Sequence, residues 1–231
     1  MTVFLRERAL GLTERMDSPD CDPALLQRTY AQFSTVNAVL SGWGQLYQRY
    51  LQPWLRTQAR TTRVLDIGCG GGDLLRRLGG WAAQEGLSAT FVGIDPDPRA
   101  IAFARQAPHH SSTTFRQADS RTLVAAGERF DIVLSNHVLH HLSAPELTAL
   151  CQDCEQLALG RVIHNDIRRD DLAYVLFPLA GLVCQRSFIV EDGLRSIRRS
   201  FTPAELEQAA PPGWTVATTA PFRLQLLWSA P

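Results

Sequence analysis

The residues with the clearest capacity for chemistry lie in VLDIGCGGGD, Val64 to Asp73. A buried-type apolar strand runs directly into four glycines and then into helical spacing. In such a turn the backbone can approach a ligand closely, and the helix start offers free N–H groups. Two carboxylates flank the turn, Asp66 at the strand end and Asp73 at the helix start. Gly68 and Gly70 satisfy the first two positions of a dinucleotide fingerprint, but Asp73 occupies the third. An acid there faces a pyrophosphate badly, whereas both carboxylates suit a cation.

Three further segments end in polar groups at matching places. FVGIDPDP, Phe91 to Pro98, ends a strand on Asp95 and Pro96, and a carboxylate there can accept from both ribose hydroxyls. FRQADS places Asp119 and Ser120 after another strand. An adenine amine or a simple helix N-cap would account for Asp119. FDIVLSNHVLHHL, Phe130 to Leu142, ends on Asn136 and is followed by His137, His140 and His141. If the chain turns helical at His137, the three rings share one face. Metal ligation, packing or proton transfer could each use them. Val138 stands where a metalloprotease has Glu, and no third ligand is evident, so no metal is expected. His137 and His141 are the expected general bases, since His titrates near neutrality, with Asp166 next; His140 is left unassigned.

The elements that must position these groups alternate. Strands are expected at 62–67, 90–95, 113–118, 130–136 and 161–166. Helices are expected over Asp73–Gln84, Pro98–Gln106 and Ala144–Leu157, the last capped by Ser143 with Glu146. The alternation predicts an α/β fold with a doubly wound, mostly parallel sheet. WTVATTA and FRLQLLWSA, joined at Ala220-Pro221, predict a terminal antiparallel pair that completes seven strands. Residues 1–60 read as a helical extension or lid on a main domain at 61–231, with a loop at Met16 to Pro23 and a stop near Pro53. An apolar helical insertion falls at about 168–200. LAYVLFPLAGLVC, Leu172 to Cys184, would cover either an aromatic or lipophilic acceptor or simply the core. Core packing is the expectation for most of Tyr30, Phe33, Trp43 and Tyr47. Arg195, Arg198 and Arg199 read first as a solvated face and second as an anion contact.

Motif, spacing and order over about residues 60–170 resemble the class I S-adenosylmethionine-dependent methyltransferases. Within them the chain is similar to the small-molecule type that includes ubiquinone/menaquinone and bacterial polyketide or secondary-metabolite enzymes. The resemblance implies a Rossmann-like fold, S-adenosyl-L-methionine as cofactor and S-adenosyl-L-homocysteine as product. It implies that Asp66 holds the methionine amino group through the loop and that Gly68, Cys69 and Gly70 line the cofactor. Asp95 and Pro96 would lie at the ribose, Asp119 and Ser120 at the adenine edge, Asn136 and His137 at the methionine end. O- or C-methylation of a small acceptor follows. The segment LALGRVIHND carries only Gly160 where the family has a Pro-Gly-Gly turn. A non-catalytic cofactor-binding subunit and a nicotinamide oxidoreductase are the competing readings.

Composition narrows the remainder. Net charge is +0, so the footprint of a nucleic-acid binder is absent. Every basic residue is Arg, which removes Lys-based mechanisms. The five cysteines are irregularly spaced, and Cys151 and Cys154 read as buried thiols on one helix turn. Together with charged residues near the start and no apolar run long enough to span a bilayer, this predicts a reducing, cytoplasmic setting. Oligomeric state is not encoded in any feature above.

Overall fold

The computed structural model describes residues 4–231. Residues 4–22 are irregular, so the helical reading of the extension begins only at α1 (Pro23–Leu40). Asp22 caps α1 by accepting from the N–H groups of Ala24 and Leu25, with Pro23 at the first helical position. Gly42 reverses the chain at φ 70, and α2 (Trp43–Leu46) passes through one π turn at Tyr47–Leu51 into α3 (Gln52–Thr57). The helical run therefore does not stop at Pro53: Leu51 and Gln52 stay in the right-handed helical region, and the residue without an N–H falls directly after the π turn, where the hydrogen-bonding step is already shifted.

The sheet strands are β1 (Thr62–Ile67), β2 (Ala89–Asp95), β3 (Thr113–Gln117), β4 (Phe130–Asn136), β5 (Ala158–Ile167), β6 (Thr215–Thr219) and β7 (Arg223–Ser229). Their order is β3-β2-β1-β4-β5-β7-β6, parallel except for β7 against β5 and β6. The helices between them are α4 (Asp73–Gln84), α5 (Pro98–Gln106), α6 (Ser120–Ala125) and α7 (Ala144–Leu157). After β5 come α8 (Asp171–Leu176), a 3-10 stretch Phe177–Leu182, α9 (Ile189–Arg199) and α10 (Pro203–Ala209). The expected capping box forms on α7 with Ser143 and Glu146, and a second forms on α10 with Thr202 and Glu205.

Both faces of the sheet are covered. On one, Leu74, Leu75 and Leu78 of α4 pack with Trp43, Leu46, Tyr47, Leu51 and Leu55, so half of the N-terminal extension belongs to the main core. On the other, Leu147, Cys151, Cys154 and Leu157 of α7 pack with Phe130, Val133 and Trp214. β5 begins at Ala158, immediately after α7, three residues earlier than the sequence suggests. The usual turn is absent because none is needed. Gly160 sits under the Trp54 ring, where a Cβ would come within 2.3 Å.

The N-terminal segment is stitched to the C-terminal half by arginines and one aspartate. Arg169, only 2% exposed, donates to the carbonyls of Leu5, Arg6 and Ser200 and pairs with Glu205. Arg199 donates to the carbonyls of Leu12, His140 and His141. Asp192 accepts from the N–H groups of Arg15 and Met16. Arg195 holds the carbonyl of Thr13 and Glu191. Arg195 and Arg199 are therefore structural staples and neither a solvated face nor an anion contact; they fix Glu14 in the interior.

Candidate active site

A parallel sheet leaves its carboxyl edge open, and here it opens into a cavity of about 990 Å³. Its walls come from the glycine turn, the β4 end, the Glu14 segment, α1 and the insertion. The volume is at the upper end for one ligand and leaves room for a cofactor beside an acceptor.

The cofactor half is built on β1 and β2. Gly68, Gly70 and Gly72 all take positive φ. A Cβ on Gly72 would meet the Phe115 ring at 2.5 Å, whereas a Cβ on Gly70 would meet nothing within 4 Å and would project into open space. Asp66 is 1% exposed, and its Oδ1 has no hydrogen-bond partner. Burial, then the charges of Asp73 and Asp95, push its carboxyl well above the usual range. An orphaned carboxylate beside a glycine turn is a receptor for a cation. Asp95 accepts from the N–H groups of Gly70 and Asp97, which orients it while leaving lone pairs for a diol.

Other expected contacts stand differently. Cys69 lines the cavity, yet its side chain packs in the core beside Gly93, and burial pushes its thiol well up. Only its backbone is placed for a ligand. Asp119 caps α6 through Thr122, the simpler of its two readings, and it also lines the cavity with Pro96. Ser120 donates to Asp153 at 2.6 Å, so its hydroxyl hydrogen is already used. The Oδ1 of Asn136 accepts from Trp43 Nε1 at 3.0 Å, Asn165 Nδ2 at 3.1 Å and Arg223 Nη2 at 3.2 Å, leaving its amide N–H₂ for a ligand.

The histidines do not share a helix face. His137 takes φ 61, and only Leu139–His141 wind, as a 3-10 turn. His137 lines the cavity, and its Nε2 is buried with no partner among the described residues. Burial, then the charge of Arg223, lowers His137 to about 3. His141, lowered to about 4 by burial and the His140 charge, lies against His140 with ring centroids 4.2 Å apart and the planes tilted by 37°.

His140, which the sequence left unassigned, is the centre of the cluster. It is 1% exposed; Asp166 accepts from its backbone N–H at 2.9 Å and bonds its Nδ1 at 2.8 Å, and Glu14 bonds its Nε2 at 3.1 Å. Burial alone would lower this imidazole, but Asp166 and Glu14 override it and raise it to about 9. Glu14 is pushed up by burial and pulled further down by His140, His141 and the Ser196 hydroxyl, to about 2. Asp166 is likewise held far below the usual carboxylate range by His140 against the penalty of burial. Asp166 is thus a holder of charged His140, and its oxygens are taken by that ring and by the N–H groups of His140 and Ile167. Glu14, His140 and His141 also bring one ligand-type atom each within 4.8 Å of one another. Glu14 is the third member that histidine spacing could not reveal. A cation there would first have to displace the proton shared between His140 and Glu14.

The acceptor half is apolar. Val36, Val39, Leu176, Phe177, Leu179 and Val183 line it from α1 and the insertion. Val39, Leu179 and Val183 are also 60–73% exposed, so they form its mouth. No helix among the described residues is long and apolar enough to cross a membrane.

Residues 64–158 match the protein family described as Methyltransferase domain. Over 148 residues the chain is 42% identical to a ubiquinone biosynthesis O-methyltransferase of Cereibacter sphaeroides, covering 62% of this chain and 56% of that protein. Over 158 residues it is 27% identical to the ubiquinone biosynthesis O-methyltransferase of Azotobacter vinelandii, covering 66% and 65%. The chain thus spans rather over half the length of these relatives. Among solved structures it is similar to the plantazolicin methyltransferase BpumL bound to S-adenosylhomocysteine (SAH) and a substrate analogue. The TM-score is 0.56 at 16% identity, covering 88% of this chain and 95% of that one. It is also similar to the magnesium protoporphyrin IX methyltransferase of Synechocystis PCC 6803, again with SAH. There the TM-score is 0.53 at 19% identity, covering 93% and 92%. Residues 64–158 thus carry a methyltransferase-type domain, and the whole chain has the fold of the similar solved methyltransferases.

Proposed function

We propose that the chain methylates a small, lipophilic aromatic molecule, on oxygen or carbon, with S-adenosylmethionine as donor. The observation that carries this reading is the orphaned, buried Asp66 carboxylate beside the glycine turn, in the same cavity as an apolar acceptor wall. The cofactor supplies an electrophilic methyl group on a sulfonium. Asp66 would hold its ammonium, Gly68 and Gly70 would admit its chain, Asp95 its ribose and Asp119 its adenine edge. The enzyme's task is then alignment and removal of the acceptor proton.

His137 suits the second task best. It is neutral at physiological pH, its Nε2 is unbonded among the described residues, and it follows the β4 end in the cavity lining; at about 3 it is a weak base, which suits an acceptor whose own proton is acidic. The acceptor hydrogen would pass to Nε2, freeing an electron pair on the acceptor for the methyl group that the bound cofactor would supply. His141 stands further out, tilted against His140. The His140–Asp166–Glu14 cluster is a fixed charged floor that positions His137 and His141.

The test is mass spectrometry of a panel of alkylated phenols, catechols and 1,3-diketones incubated with protein and cofactor. A gain of one methyl on any member, lost in His137→Ala but retaining SAH binding, supports the reading. No transfer to any class with full SAH binding would favour a non-catalytic cofactor-binding role.

A further inference from the structure

The first residue of β7 holds an unusual charge. β7 runs antiparallel to β5, so its start pairs with the last residue of β5, Arg223 opposite Ile167. This places Arg223 at the carboxyl edge of the sheet, in the cavity wall with Asn136, His137 and Ile167. The side chain is only 3% exposed. Its single side-chain hydrogen bond among the described residues runs from Nη2 to Asn136 Oδ1, a neutral oxygen already shared with Trp43 and Asn165. Its Nε is buried without a partner, and no carboxylate among the described residues lies within ion-pair distance.

The other buried arginines differ. Arg169 has three carbonyls and Glu205, and Arg199 has three carbonyls. A guanidinium carries five donors in a planar fork, and burying it without an anion is costly unless a ligand supplies one. Asp166 is close enough to be felt, but its oxygens are spent on His140 and the Ile167 N–H. Burial pulls the guanidinium down only to about 10, so it stays charged at neutral pH.

We propose that Arg223 is the anion receptor of the acceptor subsite, binding the acceptor as a phenolate or carboxylate and presenting that oxygen for methylation. The inference rests on the methyltransferase reading and adds to it the nature of the nucleophile. A cationic receptor stabilises the acceptor after its proton has gone, so O-methylation is favoured over carbon. It also explains why a β7 residue, far in sequence from the cofactor motifs, is charged where an apolar residue would pack without penalty.

The test uses the full chain saturated with SAH and follows the visible absorbance of 4-nitrophenol through a pH titration, with benzoate as the carboxylate probe and 4-nitroanisole as the neutral control. In the wild type the bound nitrophenol should ionise at least one pH unit below its free value. Arg223→Lys should keep most of that shift. Arg223→Gln should abolish it and weaken nitrophenol or benzoate binding at least tenfold, with 4-nitroanisole and SAH affinities unchanged. Whichever anion binds in this Arg223-dependent way names the acceptor's group. Ionisation at the free value in wild type, an equal shift in Arg223→Gln, or binding of neither anion would overturn the proposal. The wild-type titration decides even if a variant does not fold. Retained SAH binding separates this failure from failure of the methyltransferase reading.

Discussion

Replacing Asp166 by Asn leaves the shape of the His140 pocket and removes one of its two negative partners. Asp166 is 2% exposed and bonds His140 twice. Breaking a buried ion pair by neutralising one member costs about 3–5 kcal/mol. At about 2–4 °C per kcal/mol for a chain of this size, that is a fall in Tm on the order of 6–20 °C. The pH dependence distinguishes an ion pair from simple packing. His140 is raised above its ordinary 6.5 to about 9, so its contribution is complete below 6.5 and is lost as pH rises through about 9. Glu14 is depressed to about 2, so its contribution holds above its ordinary range and is lost only in strong acid. Both charges are therefore in place near pH 6.5. Above pH 9 the imidazole is neutral in either protein, and the gap between wild type and Asp166→Asn should shrink to about 1 kcal/mol, the scale of an ordinary hydrogen bond. Urea unfolding of both proteins at pH 6.5 and near pH 10 measures this directly. A gap that stays constant across the two conditions would refute the charged His140.

Buried, neutral His137, His141 and His164 should make wild-type stability fall as pH drops below 6.5, opposite to His140, giving a maximum near pH 6.5 in a thermal pH series. A maximum displaced by two units would contradict these assignments. Gly70→Ala, facing open space, should cost only the left-handed backbone penalty of about 1–2 kcal/mol and reduce SAH affinity; Gly72→Ala, with the same penalty and the Phe115 ring in the way, should destabilise the ligand-free protein more. Calorimetry and unfolding of the two variants check the contrast, and equal behaviour would sink it. Asp66, raised well above the usual carboxyl range when unpaired, should release a proton as an ammonium binds. Calorimetric heats of SAH binding should therefore differ between buffers of unlike ionisation enthalpy. Asp66→Asn should abolish that difference and weaken binding about tenfold to a hundredfold, the worth of a charged hydrogen bond.

The alternation of strand and helix was legible because periodicity is a local property. β1, β4, α4, α5 and α7 begin and end where the residue pattern puts them. The glycine turn and the acids after β1 and β2 were legible for the same reason, since each stands in one short segment. What stayed hidden was assembled from distant parts. Glu14 meets His140 across 126 residues, and nothing around either position signals the other. His140 looked secondary because a regular helix was assumed from His137, whereas the left-handed backbone at His137 turns the histidines apart. Arg223 could have been found from one signal: an arginine opening a strand that must run antiparallel has to lie at the ligand edge. The helical run passes Pro53 because a π turn lies just before it, and no residue pattern signals that turn.

Thermal unfolding with S-adenosylmethionine, SAH, NAD and NADP added separately is the most direct test of the central claim, that the glycine turn with Asp66 receives a cationic adenosyl-sulfur ligand. At a hundred times the dissociation constant a ligand adds about 2.7 kcal/mol, a rise of roughly 5–11 °C for a chain of this length. The account predicts that rise with the two adenosyl-sulfur compounds and none with either nicotinamide. A rise with NAD or NADP alone would contradict it.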